Sequence, residues 1–205
     1  MMIIDYIYFA GVFVCAVSGA IVAARMHMDW VGATALSLAT SLGGGTFRDL
    51  ILDRTVFWIA EPINIWVSIF ATCFTIIYLK YFKPPHKSLR LFDAIGLAFF
   101  TILGAEIASE YHDSTIIIVL LALFTGVLGG VIRDVLSNEV PFIFRPTETL
   151  YSVSALVGVV VFLVLNQFQI PSLIINTVAI SSIIIIRLAS IYFNLRLPSL
   201  RINDE

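Results

Sequence analysis

The sequence predicts an all-α membrane protein with seven transmembrane helices, built as an inverted repeat of two three-helix units plus a seventh helix. Three observations carry this. Of 205 residues, 60% are hydrophobic and 13% charged, with a mean hydropathy of +1.00, whereas a soluble domain carries about 25% charged residues. The charges gather in short clusters between long apolar runs, the pattern of a chain that crosses a bilayer repeatedly. And Gly44-Gly45-Thr46-Phe47-Arg48-Asp49, preceded by Gly43, returns 85 positions later as Gly129-Gly130-Val131-Ile132-Arg133-Asp134.

Seven apolar runs lie near residues 6–25, 30–49, 62–82, 91–110, 114–135, 147–167 and 170–192. A spanning helix needs about 20 mostly apolar residues, so seven use roughly 140–150 and leave no room for a soluble domain. The first run follows Met1-Met2-Ile3-Ile4-Asp5, which has no basic segment and no small-residue cleavage pattern, and is expected to be a retained helix. The second and fifth runs end in the glycines and the Arg-Asp pair. Pro62, Pro146 and Pro171 stand near the starts of the third, sixth and seventh runs, where a missing N–H costs little. Lys83-Pro84-Pro85-His86-Lys87 reads as a linker. The expected units are residues 1–83, 84–168 and 169–205.

Orientation follows from the basic residues. With the N-terminus outside, the inner segments hold Arg25, Lys80, Lys83, Lys87, Arg90, Arg133, Arg145, Arg187, Arg196 and Arg201, ten of the twelve Lys and Arg. Only Arg48 and Arg54 fall outside. The expectation is an inner (plasma) membrane protein with its N-terminus out and its C-terminus in the cytoplasm.

At an ungapped offset of 85, the halves share Gly11/Gly96, Gly19/Gly104, Thr40/Thr125, Gly44/Gly129, Gly45/Gly130, Arg48/Arg133, Asp49/Asp134 and Phe57/Phe142, among others. Each unit has an odd number of spans, so the second is inserted upside down relative to the first. Inverted repeats place polar sites near the bilayer midplane, often on broken helices.

Candidate functional residues follow. Glycine costs about 1 kcal/mol against alanine inside a helix, so Gly43, Gly44, Gly45, Gly129 and Gly130 are expected to bend or unwind the second and fifth helices beside a pathway; close helix packing is the plainer alternative. Gly11, Gly19, Gly96 and Gly104 read as packing positions. Arg48, Asp49, Arg133 and Asp134 are candidate pathway or gate charges, because ionisable groups within a span are costly. Adjacent helical residues do not face each other, so each arginine is expected to pair with an acid elsewhere. Glu106, isolated in an apolar run, is a further pathway candidate. Asp5, Asp93 and Glu148 read as acids at helix starts, where they complement the helix dipole. Trp30, Trp58, Trp66, Tyr78 and Tyr81 suit interfacial anchoring.

Cys15 and Cys73 read as small core residues. His27 and His112 lack companions at ligand spacing, so no metal site is expected. No catalytic triad, nucleotide loop or carboxylate pair occurs, so neither an enzyme, a cofactor nor a nucleic-acid partner is expected.

The segments Ser18-Gly19-Ala20, Gly43 to Asp49, Asp93-Ala94-Ile95-Gly96-Leu97-Ala98 and Gly129 to Leu136 resemble the prokaryotic members of the trimeric intracellular cation (TRIC) channel family, also labelled the glycine-transporter domain (UPF0126) family. The resemblance covers nearly the whole chain. It implies a homotrimer in the lipid membrane, with one potassium-favouring pore per protomer lined by the kinked second and fifth helices. This chain departs in having Gly126 and Gly129-Gly130 where the family has an unbroken triplet, and in lacking the long basic tail of animal members. The alternative is a secondary transporter of a small amino acid such as glycine, since inverted repeats and broken helices serve transporters equally.

Overall fold

The computed structural model describes residues 3–82, 87–145, 150–168 and 170–195. Lys83 to His86 of the linker, Pro146, Glu148 and the tail with Arg196 and Arg201 lie outside these, as does the side chain of Asp5. Seven helices follow the seven apolar runs: α1 (Ile3–Arg25), α2 (Trp30–Ile51), α3 (Ile63–Tyr81), α4 (Ser88–Tyr111), α5 (Thr115–Leu136), α6 (Tyr151–Leu165) and α7 (Ser172–Phe193). No strand occurs among the described residues. Helices α1, α3, α4, α5 and α7 are long and apolar enough by themselves to cross a membrane. Helix α2 is as long, at 22 residues, but its serines, threonines, glycines and Arg48-Asp49 dilute its apolar character. Helix α6 has 15 residues and is the shortest of the seven.

Two small elements escaped the sequence pattern: a helical turn at Phe57–Ala60 and a 3-10 turn at Phe142–Phe144. Each is too short to show a hydrophobic period. They begin at repeat-equivalent phenylalanines, one after α2 and one after α5.

The repeat extends into the backbone. After α2 the chain turns through Asp53 (φ 50°), and after α5 through Asn138 (φ 56°); Asp and Asn tolerate the left-handed region better than most side chains. The N–H of Arg54 returns to the carbonyl of Asp49, and that of Glu139 to the carbonyl of Asp134. At the other end of α2, the Asp29 carboxylate accepts a hydrogen bond from Gly32 N at 2.7 Å, satisfying one of the four free N–H groups of the first turn.

Packing follows the same pairing. Helix α1 packs on α2 and α3 as α4 packs on α5 and α6, and the two units meet through α1 against α4 and α2 against α5. Helix α7 covers α4 and α6. A methyl group added to Gly19 would lie 2.8 Å from the Ser37 Cα, and one added to Gly104 would lie 2.9 Å from the Ala122 Cα. Gly11 abuts Phe100, and Gly96 abuts Cys15. These four glycines are packing positions that let backbones approach, as helix association in lipid requires.

The expected unwinding at the other glycines is not seen. Both α2 and α5 run unbroken as α-helix through Gly43–Gly45 and Gly129–Gly130. Neighbouring atoms close in on each of these glycines where a side chain would stand.

Candidate functional site: a buried polar axis at the crossing of α2 and α5

Helices α2 and α5 cross in antiparallel fashion with almost no gap. A Cβ on Gly44 would collide with the carbonyl oxygen of Thr125, and one on Gly129 with the carbonyl oxygen of Thr40. The two contacts are equivalent under the offset of 85, so the crossing lies on the pseudo-two-fold axis. Thr40 and Thr125 each turn their hydroxyl back to their own helix, at 2.6 Å from the carbonyls of Leu36 and Leu121. Phe47 of α2 meets Phe124 of α5 edge-on at 5.6 Å. Gly43 faces Ile132, again across the crossing, while Gly45 faces Phe57 and Gly130 faces Asp93 and Tyr151.

One turn beyond Gly44, about 6 Å along the helix, Arg48 is fully buried. Its Nε and Nη2 both donate to Asp49 Oδ1, at 2.8 and 2.7 Å, and Nη2 also donates to the Tyr8 hydroxyl at 2.7 Å. The second oxygen of Asp49 accepts from the Phe57 N–H at 2.8 Å. Arg54 approaches Asp49 at 3.5 Å from a more exposed position. The carboxylate thus pins the returning loop to the end of α2. Trp58 adds a second tie, its indole N–H donating to Thr46 at 2.8 Å.

One turn beyond Gly129 the arrangement recurs at the opposite end of the crossing. Arg133, also fully buried, donates from Nε to Asp134 Oδ1 at 2.8 Å, and Asp134 Oδ2 accepts from Phe142 N at 3.0 Å. Here Nη1 reaches Asp93 at 3.0 Å and the Ser18 hydroxyl at 3.1 Å. The guanidinium lies 5.0 Å from the Phe142 ring centre. Arg187 of α7 is also fully buried and stands over the Tyr151 ring at 4.8 Å.

The expectation that each arginine finds a distant acid needs correction. Arg48 and Arg133 both bind the aspartate next to them, because the long side chain curls sideways although the two Cβ vectors diverge. Only Arg133 adds a distant acid, Asp93, and it belongs to the same repeat unit. Asp93 is likewise not a helix-start acid facing the dipole: it lies inside α4, buried and ion-paired with Arg133 at 3.0 Å. Tyr8, Ser18, Tyr151 and Arg187 were missed. Tyr8 and Asp93 are repeat-equivalent, each 40 positions before its arginine, but share no identity that would mark them in the sequence. Arg187 had a weak signal, a lone cation in the apolar run of α7.

Glu106 is not brought to the axis. Gly104 faces α5, and Glu106, two residues on, points to α7, where its Oε2 accepts from Asn176 Nδ2 at 2.8 Å. His27 and His112 sit in connections, and no group of three or more metal-ligating side chains occurs among the described residues.

Several buried polar atoms near the axis have no partner within the described protein: Ser37 Oγ, Arg48 Nη1, Asp93 Oδ2, Thr101 Oγ1 and Arg133 Nη2. Buried polar groups are seldom left unpaired, and intramembrane charges are tolerated mainly where they face an aqueous cavity or each other.

Two three-helix units, joined back to back by a glycine crossing and carrying a buried Arg-Asp cluster at each end of it, define a membrane protein with an internal polar axis. The chain belongs to the family described as glycine transporter, whose model matches residues 5–80 and 90–167. It is 33% identical over 206 residues to the UPF0126 inner membrane protein YadS of Escherichia coli strain K12, covering 100% of this chain and 99% of that protein. It is 33% identical over 195 residues to the UPF0126 membrane protein YvgT of Bacillus subtilis strain 168, covering 92% of each. Among solved structures it is similar to the TRIC trimeric intracellular cation channel orthologue from Rhodobacter sphaeroides, with a TM-score of 0.89, 31% identity, and coverage of 95% of this chain and 100% of that one.

Proposed function

We propose that the protein is a monovalent cation channel, conducting chiefly potassium, with one path inside each protomer along the crossing of α2 and α5. The observation that carries this reading is the set of buried, unpartnered polar atoms on the helices around the crossing: Arg48 Nη1, Ser37 Oγ, Thr101 Oγ1, Asp93 Oδ2 and Arg133 Nη2. A hydrated path supplies the hydrogen bonds the protein leaves unmade. The likeness to solved cation channels supports it. Because α2 and α5 touch at Gly44 and Gly129, the path is closed at the crossing, and conduction requires the two helices to part there.

The same reading takes the protein to be a homotrimer, by analogy with the trimeric orthologue, and not an enzyme. It places the chain in the inner membrane with the N-terminus out and the C-terminus in the cytoplasm, on the asymmetry of the basic residues. No cofactor enters the mechanism; the permeant ion is the only small partner besides lipid.

The test is flux in reconstituted vesicles with potassium, sodium and glycine side by side. Potassium flux down its own gradient, with no coupled ion, is expected. Glycine uptake that needs a proton or sodium gradient, without potassium flux, would make the protein a secondary transporter instead.

A further inference from the structure

At the end of the bundle where α3 and α7 finish and α4 begins, a cavity of about 900 Å³ opens between α1, α3, α4 and α7. None of its lining residues belongs to α2 or α5, so it is separate from the polar axis. Its walls are apolar, with Phe13, Val17, Ile21, Leu79, Leu91 and Leu188 among them. From Phe13 to Ile21 the wall on α1 runs about 12 Å along the helix. The Thr75 hydroxyl, also in the wall, is satisfied by the Ala71 carbonyl at 2.7 Å.

The mouth of the cavity has a different character. Ser88, the first residue of α4, lines the cavity, is 7% exposed, and its Oγ has no hydrogen-bond partner. Helix α4 has no side-chain cap, and its first main-chain bond runs from Leu91 N to the Lys87 carbonyl. The N–H groups of Ser88 and Leu89 therefore precede the helical ladder. The Lys87 ammonium spans the same mouth, reaching the Ile191 carbonyl of α7 at a long 3.4 Å. A helix N-terminus, a hydroxyl donor and an ammonium together form a site for a phosphate, and the space behind them accepts a hydrocarbon chain.

We propose that this cavity binds one anionic glycerophospholipid, an acyl chain between α1, α3, α4 and α7 and its phosphate on Ser88, Lys87 and the N-terminus of α4. A free phosphate has no use for the apolar depth. Positive charge at the mouth also selects an anionic lipid over a zwitterionic one. The lipid ties the start of α4 to the end of α7.

The experiment is native mass spectrometry of the purified protein, titrated separately with phosphatidylglycerol, phosphatidylcholine and inorganic phosphate. One phosphatidylglycerol per protomer is expected, with phosphatidylcholine bound about tenfold more weakly and no phosphate adduct. Combining Lys87→Gln and Ser88→Ala is expected to weaken phosphatidylglycerol binding about tenfold, equivalent to about 1.4 kcal/mol, and to leave phosphatidylcholine unchanged. Val17→Trp, which fills the cavity, is expected to remove both adducts; the double variant alters only the mouth and keeps the test decisive should Val17→Trp misfold. Equal binding of the two lipids by the native protein, or phosphatidylglycerol binding unaltered in the double variant, overturns the proposal. So does a Val17→Trp protein that keeps its lipid and loses its oligomer, which would assign the cavity to a second copy of the chain. The readout is lipid retention, so it stands or falls separately from potassium flux.

Discussion

Asp93 stands in the second repeat where Tyr8 stands in the first, and each accepts a hydrogen bond from the arginine 40 residues after it. The geometry of the repeat is kept while the charge is not. Arg48 is balanced by one aspartate with Arg54 close by, whereas Arg133 is held between two aspartates. The two ends of the axis are therefore electrostatically unequal, although the backbones that build them are equivalent.

This inequality sets the cost of removing each partner. Asp93→Ala takes a carboxylate from a fully buried arginine, a change that typically costs about 3–5 kcal/mol. Tyr8→Phe removes a single hydrogen bond to a charged group, about 1.5–3 kcal/mol, and leaves the Arg48–Asp49 pair whole. Thermal unfolding in detergent, followed by size-exclusion chromatography, is expected to rank Asp93→Ala well below Tyr8→Phe. Equal losses would mean that Asp134 alone neutralises Arg133.

Asp93→Asn separates charge from shape. The amide still accepts from Arg133, and Asp134 remains, so the fold is expected to survive. Under the proposed channel function, the end of the path near α5 loses a negative charge, and cation conductance is expected to fall several-fold and more strongly for one direction of current. Single-channel recording in planar bilayers reads both. Unchanged and symmetric currents would place Asp93 outside the path.

The aspartates of the repeated motif do two jobs with two oxygens. In each, one oxygen takes the arginine and the other takes a loop N–H, from Phe57 or from Phe142. An asparagine cannot do both, because its NH2 group faces a donor whichever way it turns. Asp49→Asn and Asp134→Asn are therefore both expected to be destabilising, Asp49→Asn the more, at about 3 kcal/mol or above, because it leaves Arg48 with no carboxylate while Arg133 keeps Asp93. Limited proteolysis at the two loops, compared with the native protein, checks this. A variant that stays as resistant as the native protein shows that its loop is held by other contacts.

The sequence made the seven runs and the offset of 85 visible because apolar periodicity and a rare motif survive without any three-dimensional knowledge. Helix limits from α1 to α7 agree with the runs to within a few residues, and the expected start of the sixth run, at 147, lies outside the described residues. The Arg48–Asp49 contact was not visible, since helical geometry argues against neighbours pairing, and only the reach of the guanidinium reverses it. Asp93 was hidden for another reason: its repeat partner is a tyrosine, so the pairing of functions leaves no identity in the alignment. The role of Gly44 and Gly129 turned on tertiary packing. A glycine pair in an apolar helix suits a kink or a close crossing, and the close crossing shows only in the contacts with the carbonyls of Thr125 and Thr40.

That crossing yields a graded prediction for alanine. At Gly44 or Gly129 the added methyl meets a carbonyl oxygen on a rigid helix, which cannot yield as a flexible side chain would. At Gly32 it meets only the Asp29 carboxylate and the Met28 side chain, 3.2 Å or more away. Gly44→Ala and Gly129→Ala are expected to lower stability by about 1–3 kcal/mol through overpacking, and Gly32→Ala to be neutral or stabilising through helix propensity. Thermal melts of the three variants give the order. Should Gly44→Ala and Gly129→Ala melt like the native protein but conduct more, the crossing opens at little cost and the methyl favours the parted state.

Glu106 separates the channel from its alternative. In a proton-coupled transporter a buried, isolated carboxylate would be the natural proton carrier, and Gln in its place would abolish uptake. The structure instead turns Glu106 toward α7 and bonds it to Asn176, whose own Oδ1 is buried without a partner. A glutamine at this position accepts from the Asn176 amide with its oxygen and donates to that Oδ1 with its nitrogen, so two amides complete the pairing. Glu106→Gln is expected to leave potassium flux unchanged and to raise the unfolding temperature or leave it as it is. Loss of transport in a folded Glu106→Gln protein would give the carboxylate a role in the path and restore the proton-coupled reading.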